Sequence, residues 1–487
     1  MPFSSSRDYG SLFRRRHPFY AMNQRIWQRS LDAYSGGGKY IQIALIRHLS
    51  ETKEEFSERI QRAYYFNLPR KIARIITHYV MSTRPDRQGA DPDLCEDWSR
   101  TGLRVDEVMR QFSTAMNIFG TAWMGVDMPA FVGRKTKADE IREKLRPYCV
   151  AINPLSVHDW CYGSDGELDW VLAAEQEYDN SDPFQEAKEI QKRKLWTRDS
   201  LITVSQSQDG TQKVDLFEHN LGVVPFIRQV ETDGYGLCAN HWFEDVVRIT
   251  DAILNNESEA QMNVIKQMFG LLVVSDSFAS NARRDEDGES NGEAKKPGGD
   301  DSLSSTIART VAIIERPEDK GISRYISPAG VENATIRAEN ADLRKILFDT
   351  IGLANTKDTK AVESAESKMW DFQNVEQYMR NRADMLEQAE QEAWSLMQLW
   401  QPSIQVPEVS YNRNFAMLDL KDAVTTLLEL SSFNIESEKF QKEVGKTAVG
   451  FLNRLRQMSQ GKKEEIEQEI EGLVQDFDSK SLLSVDI

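Results

Sequence analysis

Residues 221–249, LGVVPFIRQVETDGYGLCANHWFEDVVRI, contain an apolar strand, a glycine turn and the start of an amphipathic helix. GYGLCA, from Gly234 through Gly236 to Ala239, fits G-x-G-x-x-G/A, in which glycines let the backbone approach a pyrophosphate at a helix N-terminus. A dinucleotide-binding unit also needs a short helix, a second parallel strand and an acidic residue about 20 positions further on. Here those positions, Glu257 and Glu259, fall within a long helical pattern. The glycines therefore predict a sharp turn from strand to helix rather than a nucleotide site.

The sequence after this turn predicts one long helix. No proline or glycine interrupts Asn240 to Phe269, and apolar residues recur along one face. The middle of this helix, NNESEA, is polar, so we expect neither a membrane span nor a helix buried on all sides. A second helix is predicted over Val331 to Ile351. Strand-like text lies between the two helices, together with a Gly-, Ser- and Asp/Glu-rich insert at 276–301 that predicts a mobile surface loop.

The remaining sequence predicts a mixture of elements. The N-terminal third alternates helices and strands, and residues 196–227 predict a hairpin that turns at Asp209-Gly210. A third long helix is predicted over about 367–400, followed by one strand that returns to the body and then by further helices from Leu418. The predicted fold class is α+β and predominantly helical.

Composition limits the possible functions. The 487 residues are enough for several domains or sub-domains. With 77 acidic against 60 basic side chains, a net charge of −17, the surface as a whole should repel nucleic acid unless a local basic patch overrides it. Four scattered cysteines predict neither a disulfide framework nor a zinc module. The absence of a secretory pattern and of long apolar runs predicts a soluble protein with no membrane contact.

Candidate chemical motifs are weak. SGGGKY at 35–40 lacks the spacing of a phosphate loop and predicts a flexible link. His158 and Cys161 have no second half-site, so ordinary packing is favoured over a metal. Arg14 to Arg16, with Arg25 and Arg29, predict a flexible arm, for which a solvated tail is preferred to a DNA contact. We therefore expect no catalytic residues, no metal and no cofactor, and thus a protein that is not an enzyme.

Four segments, taken together and in order, resemble one known family. They are FSERIQRAYYFNLPRKIARIITHYVMSTRP (56–85), FSTAMNIFGTAWMGVDMP (112–129), YCVAINPLSVHDWCYGSDGELDWV (148–171) and HNLGVVPFI (219–227). Their order and spacing are similar to those of tailed-bacteriophage portal proteins, the head-to-tail connectors, and the resemblance covers most of the chain.

The resemblance implies a portal-like fold with wing, stem, clip and crown regions. The implied regions are a wing at 1–239, stem helix 1 at 240–270, a clip at 271–329 with the acidic flexible insert 276–301, stem helix 2 at 330–351, a tunnel loop at 352–366, a long wing helix and return strand at 367–415, and a helical crown with a C-terminal tail at 416–487.

The implied function is a non-enzymatic ring, normally a dodecamer, at the unique capsid vertex. Double-stranded DNA would pass its channel with weak, non-specific contact during packaging and ejection. Further implied partners are the terminase large subunit, the head-tail adaptor, and the major capsid and scaffolding proteins. The protein would be assembled in the host cytoplasm and located in the virion. Two alternatives remain: another virion or scaffold-associated structural protein that shares the helical hairpin but not the ring, and an NAD-binding enzyme.

The resemblance also assigns expected roles to particular residues. The expected DNA-facing tunnel loop contains Lys357, Asp358, Thr359 and Lys360; the expected wing-to-stem hinge contains Gly234 and Gly236; the expected packing face of the first stem helix contains Trp242, Val246, Ile249 and Ile253. With its polar centre and partial apolar stripes, that helix is expected to be unsatisfied in an isolated chain, and a head-to-tail ring would let each subunit cover the exposed stripe of its neighbour. Gly236→Val is expected to impair ring assembly rather than cofactor binding.

Overall fold

The computed structural model describes residues 8–49, 51–129, 145–231 (without 181, 183, 185, 208 and 209), 241–268, 271–275, 313–315, 324–326, 331–350, 365–413 and the single positions 415, 445, 449, 466 and 469. Helices and strands are mixed along this part of the chain, so the α+β class is confirmed. The division into wing, stem, clip, tunnel loop and crown stays a prediction.

The described helices are α1 (Pro18–Ser35), α2 (Gly38–Ala44), α3 (Lys53–Arg62), α4 (Leu68–Val80), α5 (Pro92–Glu96), α6 (Val105–Phe119), α7 (Trp242–Met268), α8 (Val331–Thr350) and α9 (Ala365–Trp400). The described strands are β1 (Asp86–Gln88), β2 (Thr121–Asp127), β3 (Tyr148–Ile152), β4 (Val157–Tyr162), β5 (Leu168–Asp179), β6 (Lys188–Thr197), β7 (Ser200–Ser207), β8 (Gln212–Glu218), β9 (Phe226–Val230), β10 (Leu271–Ser275), β11 (Ile313–Glu315), β12 (Arg324–Ile326) and β13 (Glu408–Ser410).

An antiparallel sheet of order β3-β2-β9 lies at the centre of the body. Its middle strand, β2, is almost wholly buried, because helices and aromatic side chains cover both of its faces. Gly120 ends α6 in the left-handed conformation, with φ of 66°. A Cβ at this position would lie 3.0 Å from Nδ1 of His241, so both the turn and the close approach of α7 require glycine.

A second sheet is an antiparallel meander of order β4-β5-β6-β7-β8. Trp160 of β4, Val171 of β5 and Trp196 of β6 lie in one apolar cluster with residues of α1 and α7. β7 and β8 form the hairpin predicted from the sequence, and Gly210 in its turn has φ of 84°. Through this apolar cluster, the sheet packs against both the N-terminal helices and the central sheet.

The N-terminal arginine-rich segment corrects two expectations. α1 is a core helix rather than a flexible arm: Tyr20 and Trp27 are buried, and the Trp27 indole donates a 3.0 Å hydrogen bond to the Phe119 carbonyl. SGGGKY is a tight turn rather than a flexible link, because Gly36 and Gly37 have positive φ and join α1 directly to α2. Apolar burial of the aromatic face outweighs the solvation of the arginines.

α9 is the predicted third long helix, 36 residues in length. It packs Met379, Leu386 and Ala389 into the body's core, in the phase that the sequence predicts. Glu390, also on this helix, is fully buried and accepts two hydrogen bonds from the Arg87 guanidinium, at 2.5 and 3.0 Å. The chain then returns as β13, which pairs with β1, so the predicted return strand is confirmed.

Candidate functional site: the α7–α8 helix pair

The helices α7 and α8 form an antiparallel pair. Val246 of α7 lies in one apolar cluster with Leu347 of α8, whereas further along α7 the Asn256 side chain donates a 3.0 Å hydrogen bond to Asn340. Contacts that move forward on α7 and backward on α8 define the antiparallel arrangement. We call residues 241–258, which include His241 just before the helix, the near half of α7, and residues 259–268 its far half.

A small sheet of order β11-β10-β12 follows α7 and precedes α8 in the chain. β10 pairs parallel with β11 and antiparallel with β12. β10 begins three residues after α7 ends, and that distance can span at most about 11 Å. The sheet therefore adjoins the far end of the pair, opposite the end that packs on the body.

The four predicted packing residues differ in burial. Val246 and Ile253 are 1% exposed, and Trp242 and Ile249 are half-buried. Val246 packs against Ile72 of α4, and the other side of α7 is also covered by the body. The residues on that other side, which the sequence pattern missed, are Phe243, Val247 and Leu254. The sequence of α7 contains two adjacent apolar stripes, and only one of them was used to predict its packing face.

The polar centre of α7 is hydrogen-bonded within the same chain. Glu257 accepts hydrogen bonds from the Asn340 amide at 2.9 Å and from the Arg344 guanidinium at 3.2 Å. The Arg59 guanidinium of α3 donates to the Ser258 hydroxyl at 3.1 Å. The polar segment thus has partners within the same chain, so the expectation of an unsatisfied helix is wrong for its polar centre. Polar residues in mid-helix are explained here by contacts between α7, α8 and α3.

Asp251 lies one turn before this polar centre and joins α7 to the N-terminal helices. Its carboxylate accepts hydrogen bonds from the Tyr40 hydroxyl at 2.6 Å and from the Arg29 guanidinium at 2.5 Å. Burial, together with the Asp251 charge, raises the pKa of Tyr40. Arg29 and Tyr40 belong to the segments whose flexibility was predicted from sequence, and here they fix the near half of α7.

The start of α7 is held by a cluster of charged groups. The His241 ring donates from Nε2 to the Asn117 carbonyl at 2.7 Å, and its Nδ1 lies 3.7 Å from the Glu231 carboxylate. Arg382 of α9 is buried and donates to Glu231 at 3.0 Å. Burial lowers the pKa of His241, although the Glu231 charge opposes this shift. The cluster joins β9, α7 and α9.

Two groups of predicted site residues lie outside the described part of the chain. They are the hinge glycines Gly234 and Gly236 and the tunnel-loop residues Lys357, Asp358, Thr359 and Lys360. Their predicted roles therefore stay predictions.

The strand and the helix that flank GYGLCA do not have the arrangement of a dinucleotide-binding unit. β9, the strand before the glycines, pairs antiparallel with β2 rather than with a parallel neighbour. The helix after them has 27 residues, more than twice the length that a nucleotide-binding βαβ unit would need here. The segments flanking the fingerprint thus form a strand-to-helix junction in an antiparallel context.

His158, one of the two candidate metal ligands, packs as a buried side chain. His158 is buried with its ring 5.2 Å from that of Tyr20, and burial, reinforced by the charges of Arg16 and Arg193, lowers its pKa to about 3. Within the described ranges, no group of three or more His, Cys, Asp or Glu side chains could hold a metal ion. No described helix combines the length and apolar character required to cross a membrane.

The exposed charges described on the helix pair are slightly more acidic than basic. The acidic ones are Asp245, Glu259, Glu332, Glu339 and Asp342, and the basic ones are Arg248, Arg337 and Lys345. Arg248 is already paired with Glu244 at 2.6 Å. Phosphates would therefore find little net attraction on this surface.

Similarity to known proteins is found at the level of structure. No protein-family model matches the sequence, and no curated protein matches it. A solved chain titled "Neck of native GTA particle computed with C12 symmetry" aligns with a TM-score of 0.41 and 8% identity, over 82% of this chain and 96% of that chain. A similarity of this size carries no argument about the function of this chain. The class defined by its own geometry is an α+β body with an anchored helix pair and a small sheet at the far end of that pair.

Proposed function

We propose that this chain is a portal protein of a tailed bacteriophage. It assembles as a non-enzymatic ring at the unique capsid vertex, conducts double-stranded DNA during packaging and ejection, and provides the docking platform for the terminase large subunit and then for the head-tail adaptor. The observation that carries the proposal is the helix pair α7–α8, fixed to the body at one end and adjoining a small sheet at the other. Its place in the chain is the place that the portal-like motifs imply.

Exposed apolar side chains at the far end of the pair support assembly. Val264, Met268 and Val331 are 38%, 73% and 70% exposed. In a head-to-tail ring each subunit presents one face to the different face of its neighbour, so such side chains can be covered without a change in the fold. Burial of this surface would favour association through the hydrophobic effect.

The exposed charges of the α7–α8 pair favour movement of DNA over its retention. Phosphate contacts made by basic side chains dominate the affinity of proteins for DNA. A channel wall with a small acidic excess binds DNA weakly and lets a motor move it. In the tunnel loop, Lys357 and Lys360 would add brief contacts that salt screens. Replacing both lysines with alanine should alter packaging or retention of DNA and leave ring assembly unchanged; unchanged packaging and retention would contradict that role.

Oligomeric state provides the direct test. Full-length protein should form rings of about twelve copies with a central hole, by native mass spectrometry and negative-stain microscopy. Val264→Asp with Met268→Asp should block ring formation. The control is Tyr178→Asp with Phe184→Asp, which adds the same charges at exposed positions of the β5–β6 hairpin and should leave the rings intact.

Two outcomes would favour the alternatives. A protein that stays monomeric even with its capsid and scaffolding proteins present, and that binds a nicotinamide nucleotide saturably, would favour an enzyme. Incorporation into virions without a ring would favour another structural protein with the same helical hairpin.

A further inference from the structure

One helix of this acidic protein is basic and contains no acidic residue of its own. α4, with sequence LPRKIARIITHYV, includes four basic side chains, whereas the whole chain has a net charge of −17. Its buried face consists of small and apolar residues that pack against the body. On the opposite face Lys71, Arg74 and His78 are exposed at intervals of three and four residues, so they form one row along the helix.

The side chains in this row have no opposite charge beside them in the described part of the chain: no ion pair joins Lys71, Arg74 or His78 to a described residue. Arg70 is different, because its guanidinium donates hydrogen bonds to the carbonyls of Tyr34 and Ser35 at 2.8 and 2.5 Å. Arg70 therefore caps the end of α1, and the other three are left available to a ligand.

The neighbouring helix adds one further exposed basic residue. The Thr114 hydroxyl of α6 lies 3.5 Å from the Thr77 hydroxyl of α4, which fixes the two helices side by side. Arg110 lies one turn before Thr114, is exposed, and makes no ion pair with any residue that the structure describes. We call Lys71, Arg74, His78 and Arg110 the α4 basic face.

The groove beside this row is open, and most of the described residues that line it are polar or charged. A groove of about 640 Å³ runs along α4, and its described lining adds Asn67, Ile75 and Tyr79 to the basic residues. Ile75 and Tyr79 are half-buried, and four of the seven described lining residues, Arg70, Lys71, Arg74 and His78, are basic. Protein partners are usually bound through an apolar interface core, whereas nucleic-acid interfaces are polar and strongly positive.

We propose that the α4 basic face binds the phosphate backbone of double-stranded DNA without sequence preference. Lys71 and His78 are seven residues apart, a rise of about 10 Å along the helix. Duplex DNA carries one charge per roughly 1.7 Å of its axis, so several phosphates lie within reach of the row in any register. The inference rests on the proposed function for the presence of DNA. Binding by a single subunit does not require a ring, however, and the two proposals can fail separately.

Fluorescence anisotropy with a labelled 20-base-pair duplex tests the proposal on the full-length protein. The variant is Lys71→Gln with Arg74→Gln and Arg110→Gln. The matched control, Arg25→Gln with Lys53→Gln and Lys188→Gln, makes the same change of net charge at exposed positions elsewhere. Both proteins are checked by circular dichroism, thermal unfolding and negative-stain microscopy. Sequence specificity is checked with a second duplex of scrambled sequence.

Loss of three phosphate contacts should flatten the salt dependence. Raising the salt from 50 to 200 mM should weaken wild-type binding about 40-fold more than it weakens binding by the triple variant, since each contact adds about 0.9 to the slope. The control should match the wild type. Equal binding and equal slopes for variant and wild type would overturn the proposal, as would an equal loss in the control or competition by polyglutamate as strong as that by DNA. Rings formed by the variant would leave the proposed function intact in any of these cases.

Discussion

The near and far halves of α7 have opposite surroundings. In the near half, Phe243, Val247 and Leu254 lie in the body's core and Asp251 is held by two side chains of the N-terminal helices. In the far half, the only described side chain that is buried is Ala260. One continuous helix is thus packed against its own chain along one part and little covered by the described residues along the rest. Helical periodicity is the same in both halves, so pattern alone cannot distinguish them.

The largest expected effect comes from the near half. Phe243 is fully buried at the junction of α7 and the body. Phe243→Ala should lower the free energy of unfolding by about 3–5 kcal/mol, because the change removes buried apolar area and leaves a cavity. Urea denaturation followed by circular dichroism measures the difference. Phe184→Ala is the control: that side chain is 95% exposed, and its loss should change stability by less than about 0.5 kcal/mol. Equal effects of the two changes would contradict the comparison.

A smaller effect is expected where the near half ends. Asn340 is buried and exchanges hydrogen bonds with Asn256 and Glu257. Asn340→Ala should lower the free energy of unfolding by about 1–3 kcal/mol, since polar groups of α7 then lack a partner. Hydrogen exchange should show faster opening of α7 and α8 than in the exposed neighbour variant Glu339→Ala. Unchanged exchange would mean that this polar contact does not hold the two helices together.

The ends of the long helices could be predicted from sequence to within about two residues, because each has an uninterrupted 3.6-residue pattern. The contact between the N-terminal helices and α7 could not be predicted in this way. Tyr40 and Arg29 bond to Asp251 across more than 200 residues, and no local pattern encodes that contact. The same limit applies to Glu257 with Asn340. The sequence pattern around these polar groups predicted that they face solvent, whereas in the structure each is paired with a residue distant in the chain.

Acid should affect the body and the near half first. Burial lowers the pKa of His158 from its ordinary 6.5 to about 3, and burial also lowers that of His241. His158 stays neutral in the folded protein while the unfolded chain takes up a proton, so its contribution to stability is complete above pH 6.5 and is lost as pH falls toward 3. The lowered pKa of His241 acts in the same direction. The far half contains no histidine.

Each such histidine should add a slope of up to about 1.4 kcal/mol per pH unit. Urea denaturation of His158→Leu and of the wild type between pH 8 and pH 5 measures this contribution. The wild type should lose stability faster on acidification, by about the slope of one proton, with the pH 8 values as the reference. Parallel curves would show that His158 becomes protonated without unfolding.

The smallest expected effect is in the far half. Val264→Ala removes two methyl groups from a side chain that is 38% exposed, so the stability of an isolated subunit should change by less than about 0.5 kcal/mol. The matched change Val247→Ala, at a position that is 1% exposed, should have an effect several times larger. If a neighbouring subunit covers the far half, the order reverses in assembly: Val264→Ala should then raise the protein concentration needed for rings, measured by mass photometry, because it removes apolar area from the interface. A large loss of monomer stability from Val264→Ala would instead show that the far half is already packed within its own chain.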